Sequence, residues 1–133
     1  MSDLLLVAGS RSFQPPADAA QGAKRYAQQR VEHMLSNASY VFDWVFRSVI
    51  HGGARGIDQM GGIWADRRGY KVIVVPADWD GLGKRAGYVR NVELVDCCSH
   101  AIVIWDGQSK GTRHTMDLLV QSGKPHVVVV ATP

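Results

Sequence analysis

The stretch that decides the fold is SVIHGGARGID, residues 48–58. It overlaps an apolar run, FRSVIH at 46–51, that stops at a pair of glycines, which predicts a strand ending where the chain turns. Beyond the turn, apolar side chains recur at the spacing of a helix. They are Ile57, Met60, Ile63 and Trp64. A strand, a glycine turn and a helix in immediate succession favour an α/β fold.

The same alternation of strand and helix continues along the whole chain. Five apolar runs rich in β-branched residues predict strands: LLLVA (4–8), FRSVIH (46–51), KVIVV (71–75), AIVIW (101–105) and HVVVV (126–130). Helical stripes lie between them and are predicted to face the core: Ala27, Val31, Met34 and Leu35; Val89, Val92 and Val95; Met116, Leu119 and Val120. The sequence therefore predicts one domain, residues 1–133, with a mostly parallel five-stranded sheet and helices on both faces.

Composition and charge limit the functional classes. The 133 residues are 46% hydrophobic and 20% charged, which is typical of one soluble domain. A net charge of +3 does not amount to the concentrated basic patch of a duplex-DNA binder. It leaves two interpretations open, a solvated surface with a slight cationic excess or a site for a small anion.

The cysteines and the N-terminus indicate a cytoplasmic protein without metal. Cys97 and Cys98 are adjacent, which makes a poor disulfide, and no metal-ligand spacing surrounds them, so we expect buried thiols near a helix end. Asp3 and the short run at 4–8 do not fit a signal peptide, and no run approaches membrane-spanning length.

The loops that follow the first four strands carry the candidate site. Ligands of open α/β sheets bind beyond the carboxyl ends of the strands, and glycines before a helix let an anion approach free backbone amides. These loops are GSRSF (9–13), GGARGID (52–58), PADWDGLGKRAGYVRN (76–91) and DGQSKGT (106–112). They also contribute five cations, Arg11, Arg55, Lys84, Arg85 and Arg90. The combination favours an anionic ligand over glycines that serve only as turns.

Several familiar sites are excluded by spacing. A GxGxxG fingerprint belongs after the first strand, but only Gly9 lies there, so a nicotinamide cofactor is not expected. The segment DGLGKR at 80–85 fails as a P-loop because Arg85 replaces the serine or threonine and Asp78 replaces the first glycine. No GxSxG or HExxH motif occurs, and the histidines are scattered.

The motifs GSRSF, HGGARGID, PADW, GKRAGYVRN and DGQSKGT resemble, in order and spacing, the YspA-like branch of the SLOG superfamily. That superfamily is named after the Smf/DprA proteins and the Lonely-Guy hydrolases. The resemblance covers nearly the whole chain and is weakest between Phe13 and Phe46. It implies a Rossmann-like three-layer sandwich that binds a nucleotide or nucleotide-derived ligand without a further cofactor, and members often form homodimers.

The Lonely-Guy hydrolases, which cleave the N-glycosidic bond of nucleoside monophosphates, carry a PGGxGTxxE motif. Gly111 and Thr112 match its Gly-Thr pair, and Arg90 resembles the arginine of the preceding helix. Thr115 stands at the glutamate position and cannot act as a carboxylate base. Among the other acids, Asp106 is best placed for a ribose hydroxyl or a catalytic role, because it follows a central strand. Arg90 and Asp106 are the candidate catalytic residues if the chain is an enzyme, which would hydrolyse N-glycosidic or phosphoester bonds of nucleotides.

The expected ligand site combines phosphate contacts with contacts to the sugar or base. Three alternatives stay open: Asp58 contacts ligand or only complements a helix dipole, Trp79 stacks on a base or anchors a lid, and Thr112 contacts ligand or caps its helix. The expected ligand-binding residues are Gly9, Ser10, Arg11, Gly52, Gly53, Arg55, Asp58, Asp78, Trp79, Lys84, Arg90, Asn91, Gly111 and Thr112.

Two other functional classes compete with a small-ligand site. A DprA-like binder of single-stranded nucleic acid needs a basic track with exposed aromatics. Its candidate cations, Lys24, Arg25 and Arg30, are expected on the first helix, away from the strand ends, which counts against it. A protein-interaction module would use the glycine loops only as turns.

Overall fold

A computed structural model describes residues 3–42 and 46–133. Strands and helices alternate along the chain. They are β1 (Leu4–Gly9), α1 (Gln21–Ser39), β2 (Ser48–His51), α2 (Ile57–Arg67), β3 (Lys71–Val74), α3 (Trp79–Leu82), α4 (Ala86–Cys97), β4 (His100–Trp105), α5 (Lys110–Ser122) and β5 (His126–Val130). Short 3-10 turns cover Arg11–Phe13, Tyr40–Phe42 and Gly83–Arg85.

The five strands form one sheet in the order β3-β2-β1-β4-β5, and every pairing is parallel. The predicted α/β fold, a Rossmann-like three-layer sandwich, is confirmed. Two strands are shorter than predicted, since β2 begins at Ser48 and β3 ends at Val74. The order reverses between β1 and β4, and this switch point is where ligands of such sheets bind.

Helices cover both faces of the sheet and create two cores. Leu5 and Val7 of β1 pack with α1 and α2, whereas Leu6 and Ala8 of the same strand pack with α4 and α5. Successive strand residues point to opposite faces, so a strand covered on both sides must be apolar at every position. This explains the continuous run at 4–8. Burying each leucine in this way contributes about 2 kcal/mol.

The prediction that the helical stripes face the core is wrong at four positions. Ile63, Val89, Val92 and Val120 are 42–68% exposed. In α4 the stripe was correctly predicted at Val95, and the other buried positions of the helix are Ala86, Asn91 and Leu94. A three-residue step falls short of the 3.6 residues of a turn, so a run spaced i, i+3, i+6 rotates away from the core.

The adjacent cysteines at the end of α4 also differ from expectation. Cys98 is buried as predicted, but Cys97 is exposed. The Lys124 ammonium closes this helix end by donating to the backbone oxygens of Val95, Asp96 and Cys98. Within residues 3–42 and 46–133, no helix combines the length and apolar character that crossing a membrane requires.

Candidate functional site

A cavity of about 390 Å³ lies at the switch point of the sheet, over the ends of β1 and β4. This volume is in the usual range for small-molecule sites. The structure brings ten of the predicted site residues to its walls: Gly9, Arg11, Asp58, Trp79, Lys84, Arg90, Asn91, Asp106, Gly111 and Thr112. Sequence reasoning missed Ser12, Gly87 and Tyr88, which also line the cavity, although all three lie within loops singled out by their motifs.

Five predicted residues do not line the cavity: Ser10, Gly52, Gly53, Arg55 and Asp78. The Asp78 carboxylate instead caps α3, where Oδ1 accepts the Gly81 amide at 2.9 Å. Ser10 is fully buried beneath the site. Its hydroxyl accepts the Asp106 amide at 3.1 Å and lies 3.4 Å from the Thr112 hydroxyl, so it joins the end of β1 to the start of α5.

The glycine turn after β2 uses its amides within the protein. Oδ2 of Asp58 accepts the amides of Gly52 at 3.1 Å and Ala54 at 3.3 Å. The Gly53 amide donates to Nδ1 of His51, and the Gly56 amide donates to Oε1 of Gln14. In this structure, therefore, the turn presents none of these four amides to the cavity, and approach of a ligand to Gly52 and Gly53 stays a prediction.

The Arg90 guanidinium is fixed by contacts on two sides. Nη1 donates to the Gly52 carbonyl at 2.6 Å, and Nε donates to Oδ1 of Asn91 at 3.3 Å. The side-chain amide of Asn91 in turn donates through Nδ2 to the Gly111 carbonyl at 3.3 Å. Burial lowers the pKa of Arg90, and Asp58 acts against that shift, but a guanidinium stays charged. Helix α4 thus places one cation between the turn after β2 and the start of α5.

Asp58 is a buried carboxyl at the start of α2, only 6% exposed. Burial raises its pKa to about 6, and the charge of Arg90 and the amides of Ala54 and Gly52 only partly oppose that rise. The structure adds a third role to the two alternatives, because the buried carboxylate holds the turn after β2 through the amides of Gly52 and Ala54. In the sequence, this site residue was indicated by the position of an acid two residues after the last glycine of the turn.

Asp106 organises the loop between β4 and α5. Its Oδ1 accepts the amides of Gln108 and Ser109, and its Oδ2 accepts the Ser12 hydroxyl at 2.7 Å. Burial would raise its pKa, but these hydrogen bonds outweigh that effect and hold the pKa at about 2. A carboxyl with such a pKa is a poor proton donor or acceptor near neutral pH, so the geometry gives no support to a proton-transfer role.

The first turn of α5 borders the cavity at Gly111 and Thr112. Ser109 is the N-cap, since its hydroxyl accepts the Thr112 amide at 3.4 Å, so the alternative that Thr112 is the N-cap is wrong. Among the described residues, the amides of Lys110 and Gly111 have no acceptor, as expected for the first two positions of a helix. Thr115 lines the cavity, but its hydroxyl points back to the Gly111 carbonyl.

Two aromatic side chains stand at the cavity, Trp79 and Tyr88, and each is half exposed. The Trp79 ring lies over Gly87, where an added Cβ would come within 3.3 Å of it. The Tyr88 ring meets the His114 ring edge-on at 4.7 Å between centroids. Trp79 is thus held on one side by the backbone of α4 and accessible on another, which suits stacking better than a buried anchor.

The cavity walls carry three cations and two carboxylates, Asp58 and Asp106, so cations are in slight excess. Arg11, Lys84 and Arg90 line the cavity, and none of them forms an ion pair with a carboxylate of the described residues. Arg55 points elsewhere and is exposed. In residues 3–42 and 46–133, no group of three or more His, Cys, Asp or Glu side chains could hold a metal ion.

Comparison with known proteins finds a likeness to a phage protein. The chain is 39% identical over 83 residues to the Gene 61 protein of Mycobacterium phage D29. The aligned region covers 58% of this chain and 66% of the phage protein, just under two thirds of its length. No family model and no solved structure matches the chain.

Proposed function

We propose that the cavity binds a nucleotide or nucleotide-derived ligand and that the chain is a YspA-like member of the SLOG superfamily. One observation carries the proposal. Three cations without carboxylate partners, Arg11, Lys84 and Arg90, line one cavity at the switch point of the sheet together with Gly111, whose amide is free at the start of α5.

The phosphate part of the ligand is placed at the start of α5. The amides of Lys110 and Gly111 are free there, and the positive end of the helix dipole favours an anion. Arg11 and Lys84 are exposed and can close on the anion, whereas Arg90 is already fixed. Arginine binds phosphate oxygens through two parallel hydrogen bonds, which adds geometric specificity.

The base of the ligand is placed at the mouth of the cavity. Trp79 and Tyr88 offer half-exposed aromatic faces there. Stacking of a base on an aromatic side chain contributes about 1–3 kcal/mol. A phosphate held by cations at one end and a base stacked at the other is the ligand chemistry that these walls fit.

The protein acts as a sensor, a sequestering protein or an enzyme for this ligand. In the enzyme form, the reaction class is hydrolysis of an N-glycosidic or phosphoester bond. The Lonely-Guy mechanism would have to proceed without a carboxylate at position 115, where the threonine hydroxyl bonds to its own helix. Incubation with nucleoside monophosphates, followed by chromatography for free base and free phosphate, separates an enzyme from a binder.

We further propose that the protein forms a homodimer. The outward face of α4 exposes Val89 and Val92, two large apolar side chains at adjacent positions of one helix face. Light scattering is expected to give twice the mass of the chain, and Val92→Glu should shift it toward that of one chain. A monomer in the unchanged protein would contradict the proposal.

Ligand binding is tested first by identifying what the purified protein carries. Mass spectrometry after denaturation should detect a phosphorylated nucleoside, and added nucleotides should raise the melting temperature, because a ligand that binds only the native state stabilises it. Arg11→Ala should weaken binding about tenfold through loss of a charge-assisted hydrogen bond. Arg25→Ala removes an equally exposed arginine of α1 and is the matched control.

The competing DprA-like function predicts a different outcome, tight oligonucleotide binding that weakens steeply with salt. The prediction that Arg30 lies away from the strand ends is wrong, because its guanidinium donates to the Thr132 carbonyl just beyond β5. It is nevertheless engaged within the protein, as is Lys24, whose ammonium donates to the Ala17 carbonyl. Oligonucleotide binding without any mononucleotide binding would replace the proposed function.

A further inference from the structure

The carboxylate of Asp58 has one oxygen that the protein leaves without a partner. Oδ2 accepts two backbone amides, those of Gly52 and Ala54, whereas no described residue donates a hydrogen bond to Oδ1. Asp58 lines the cavity. Among the described residues, every fully enclosed side-chain nitrogen or oxygen has a hydrogen-bond partner except Nε2 of His100. Because Oδ1 of Asp58 has no partner and is not such an atom, it is not fully enclosed, and the cavity is the space that Asp58 lines.

The other acids of the predicted site already accept hydrogen bonds from the protein. Both oxygens of Asp106 accept hydrogen bonds from its own loop and from Ser12. The Asp78 carboxylate caps α3 and does not line the cavity. Among the described residues that form the walls, Asp58 is therefore the carboxylate with a free acceptor.

The charges around Asp58 decide which part of a ligand it can meet. Arg90 from α4 and Arg11 from the loop after β1 act on the carboxyl from a distance, and neither forms an ion pair with it in the described residues. His51 at the end of β2 has its pKa lowered by burial and by Arg90, so it is neutral near pH 7. A carboxylate repels phosphate, so its free oxygen requires a hydrogen-bond donor from another part of the ligand.

We propose that Oδ1 of Asp58 accepts hydrogen bonds from the sugar hydroxyls of the ligand, so that the cavity selects ribonucleotides over deoxyribonucleotides. This inference rests on the proposed nucleotide site. The sugar lies between the phosphate and the base, and Asp58 lies deep in the cavity, whereas Trp79 and Tyr88 are half exposed at its mouth. A hydroxyl is also the donor that an ionised acceptor holds strongly in a buried site.

The burial of Asp58 makes the selection depend on pH. Its pKa of about 6 means that the carboxyl is ionised at pH 7.5 and mostly protonated at pH 5. A protonated carboxyl loses part of its capacity to accept hydrogen bonds. Preference for the ribose form is therefore expected to fall below pH 6.

The experiment compares the common ribonucleoside 5′-monophosphates with their 2′-deoxy and 3′-deoxy counterparts by isothermal titration calorimetry. The unchanged protein should bind the ribose form about tenfold or more tightly at pH 7.5, since a hydrogen bond to a charged group is lost with each missing hydroxyl. Asp58→Asn should reduce this ratio to about twofold or less. Asp66→Asn alters an exposed aspartate of the same helix that does not line the cavity, and it should leave the ratio unchanged.

The outcomes separate this inference from the proposed function. Equal affinity for ribose and deoxyribose forms overturns the inference and leaves nucleotide binding intact. A uniform loss in Asp58→Asn, with the ratio retained, assigns Asp58 a purely structural role in the turn and also overturns it. If that variant does not fold, the ratio in the unchanged protein at pH 5 and 7.5 decides instead. Failure of every nucleotide to bind overturns the proposed function itself.

Discussion

The turns at residues 52–56 and 106–111 are both glycine-rich, but their backbone amides are used differently. In the first, side chains of Asp58, His51 and Gln14 accept four backbone amides. In the second, Asp106 accepts the amides of Gln108 and Ser109, and the next two amides, at the start of α5, stay free. Glycine content therefore does not reveal whether a turn can hold an anion. The side chains that accept the amides of the turn decide it, and in the first turn His51 and Gln14 accept amides in addition to the acid.

The largest expected difference between the turns is the loss of stability when one glycine of each turn is replaced by alanine. Gly56 and Gly107 both have positive φ, +85° and +83°. A Cβ at Gly56 would come within 2.5 Å of the Ser10 carbonyl oxygen, whereas one at Gly107 would meet nothing within 4 Å. Gly56→Ala should lower the free energy of unfolding by about 3 kcal/mol or more, and Gly107→Ala by about 1 kcal/mol. Urea denaturation measures both, and equal losses would show that crowding does not distinguish the turns.

Asp58→Asn should stabilise the protein near neutral pH. The pKa of about 6 in the folded chain exceeds the ordinary value of 3.8, so the native state binds more protons between these values and its stability falls as pH rises through them. Removing the ionisable group should therefore add up to about 3 kcal/mol at pH 7.5, with the gain vanishing below pH 4. Unfolding curves at both pH values measure this. A loss of stability at pH 7.5 would mean that the charged bonds to the turn outweigh burial.

Asp106→Asn should have a smaller effect of opposite sign. The pKa of about 2 lies below the ordinary value, so the contribution of Asp106 is present above pH 4 and is lost as pH falls toward 2. Its partial exposure limits that contribution to about 1 kcal/mol or less. The variant should differ from the unchanged protein at pH 7 but not at pH 2. A difference that persists at pH 2 would point to neutral hydrogen bonds rather than charge.

The smallest expected effect on stability belongs to Gly111→Ala. A Cβ there meets nothing within 4 Å, and alanine favours a helix, so stability should rise by about 0.5 kcal/mol. The added methyl lies beside the free amide at the start of α5, so the shift in melting temperature produced by a nucleotide should decrease. An unchanged ligand-induced shift would place the phosphate away from this helix.

The layered fold was predictable because its determinants are local. Apolar runs at 101–105 and 126–130 show no alternation, and this is the pattern that a sheet covered on both faces imposes. The error at Val89 and Val92 arose because a three-residue spacing was assigned to the core side, which the structure gives to Asn91 and Leu94.

The site was only partly predictable because its decisive contacts are long-range. Arg90 was recognised by its motif, but its bond to the Gly52 carbonyl joins residues 38 apart in the sequence. The bonds from Asp58 to the turn depend on the backbone path through Gly53 and Gly56, both of which have positive φ. Tyr88 reaches the cavity because α4 begins at Ala86, a boundary that the residue pattern left undefined.

The contact between Arg90 and Gly52 also links how these two positions can change in evolution. A Cβ at position 52 would come within 2.6 Å of the guanidinium, so a larger residue there would displace the end of the Arg90 side chain from its bond to the Gly52 carbonyl. In a set of related sequences, the two columns should therefore covary, with glycine at 52 more frequent where position 90 is arginine than where that arginine is replaced. The signature of this site would then be a pair of positions rather than a continuous motif.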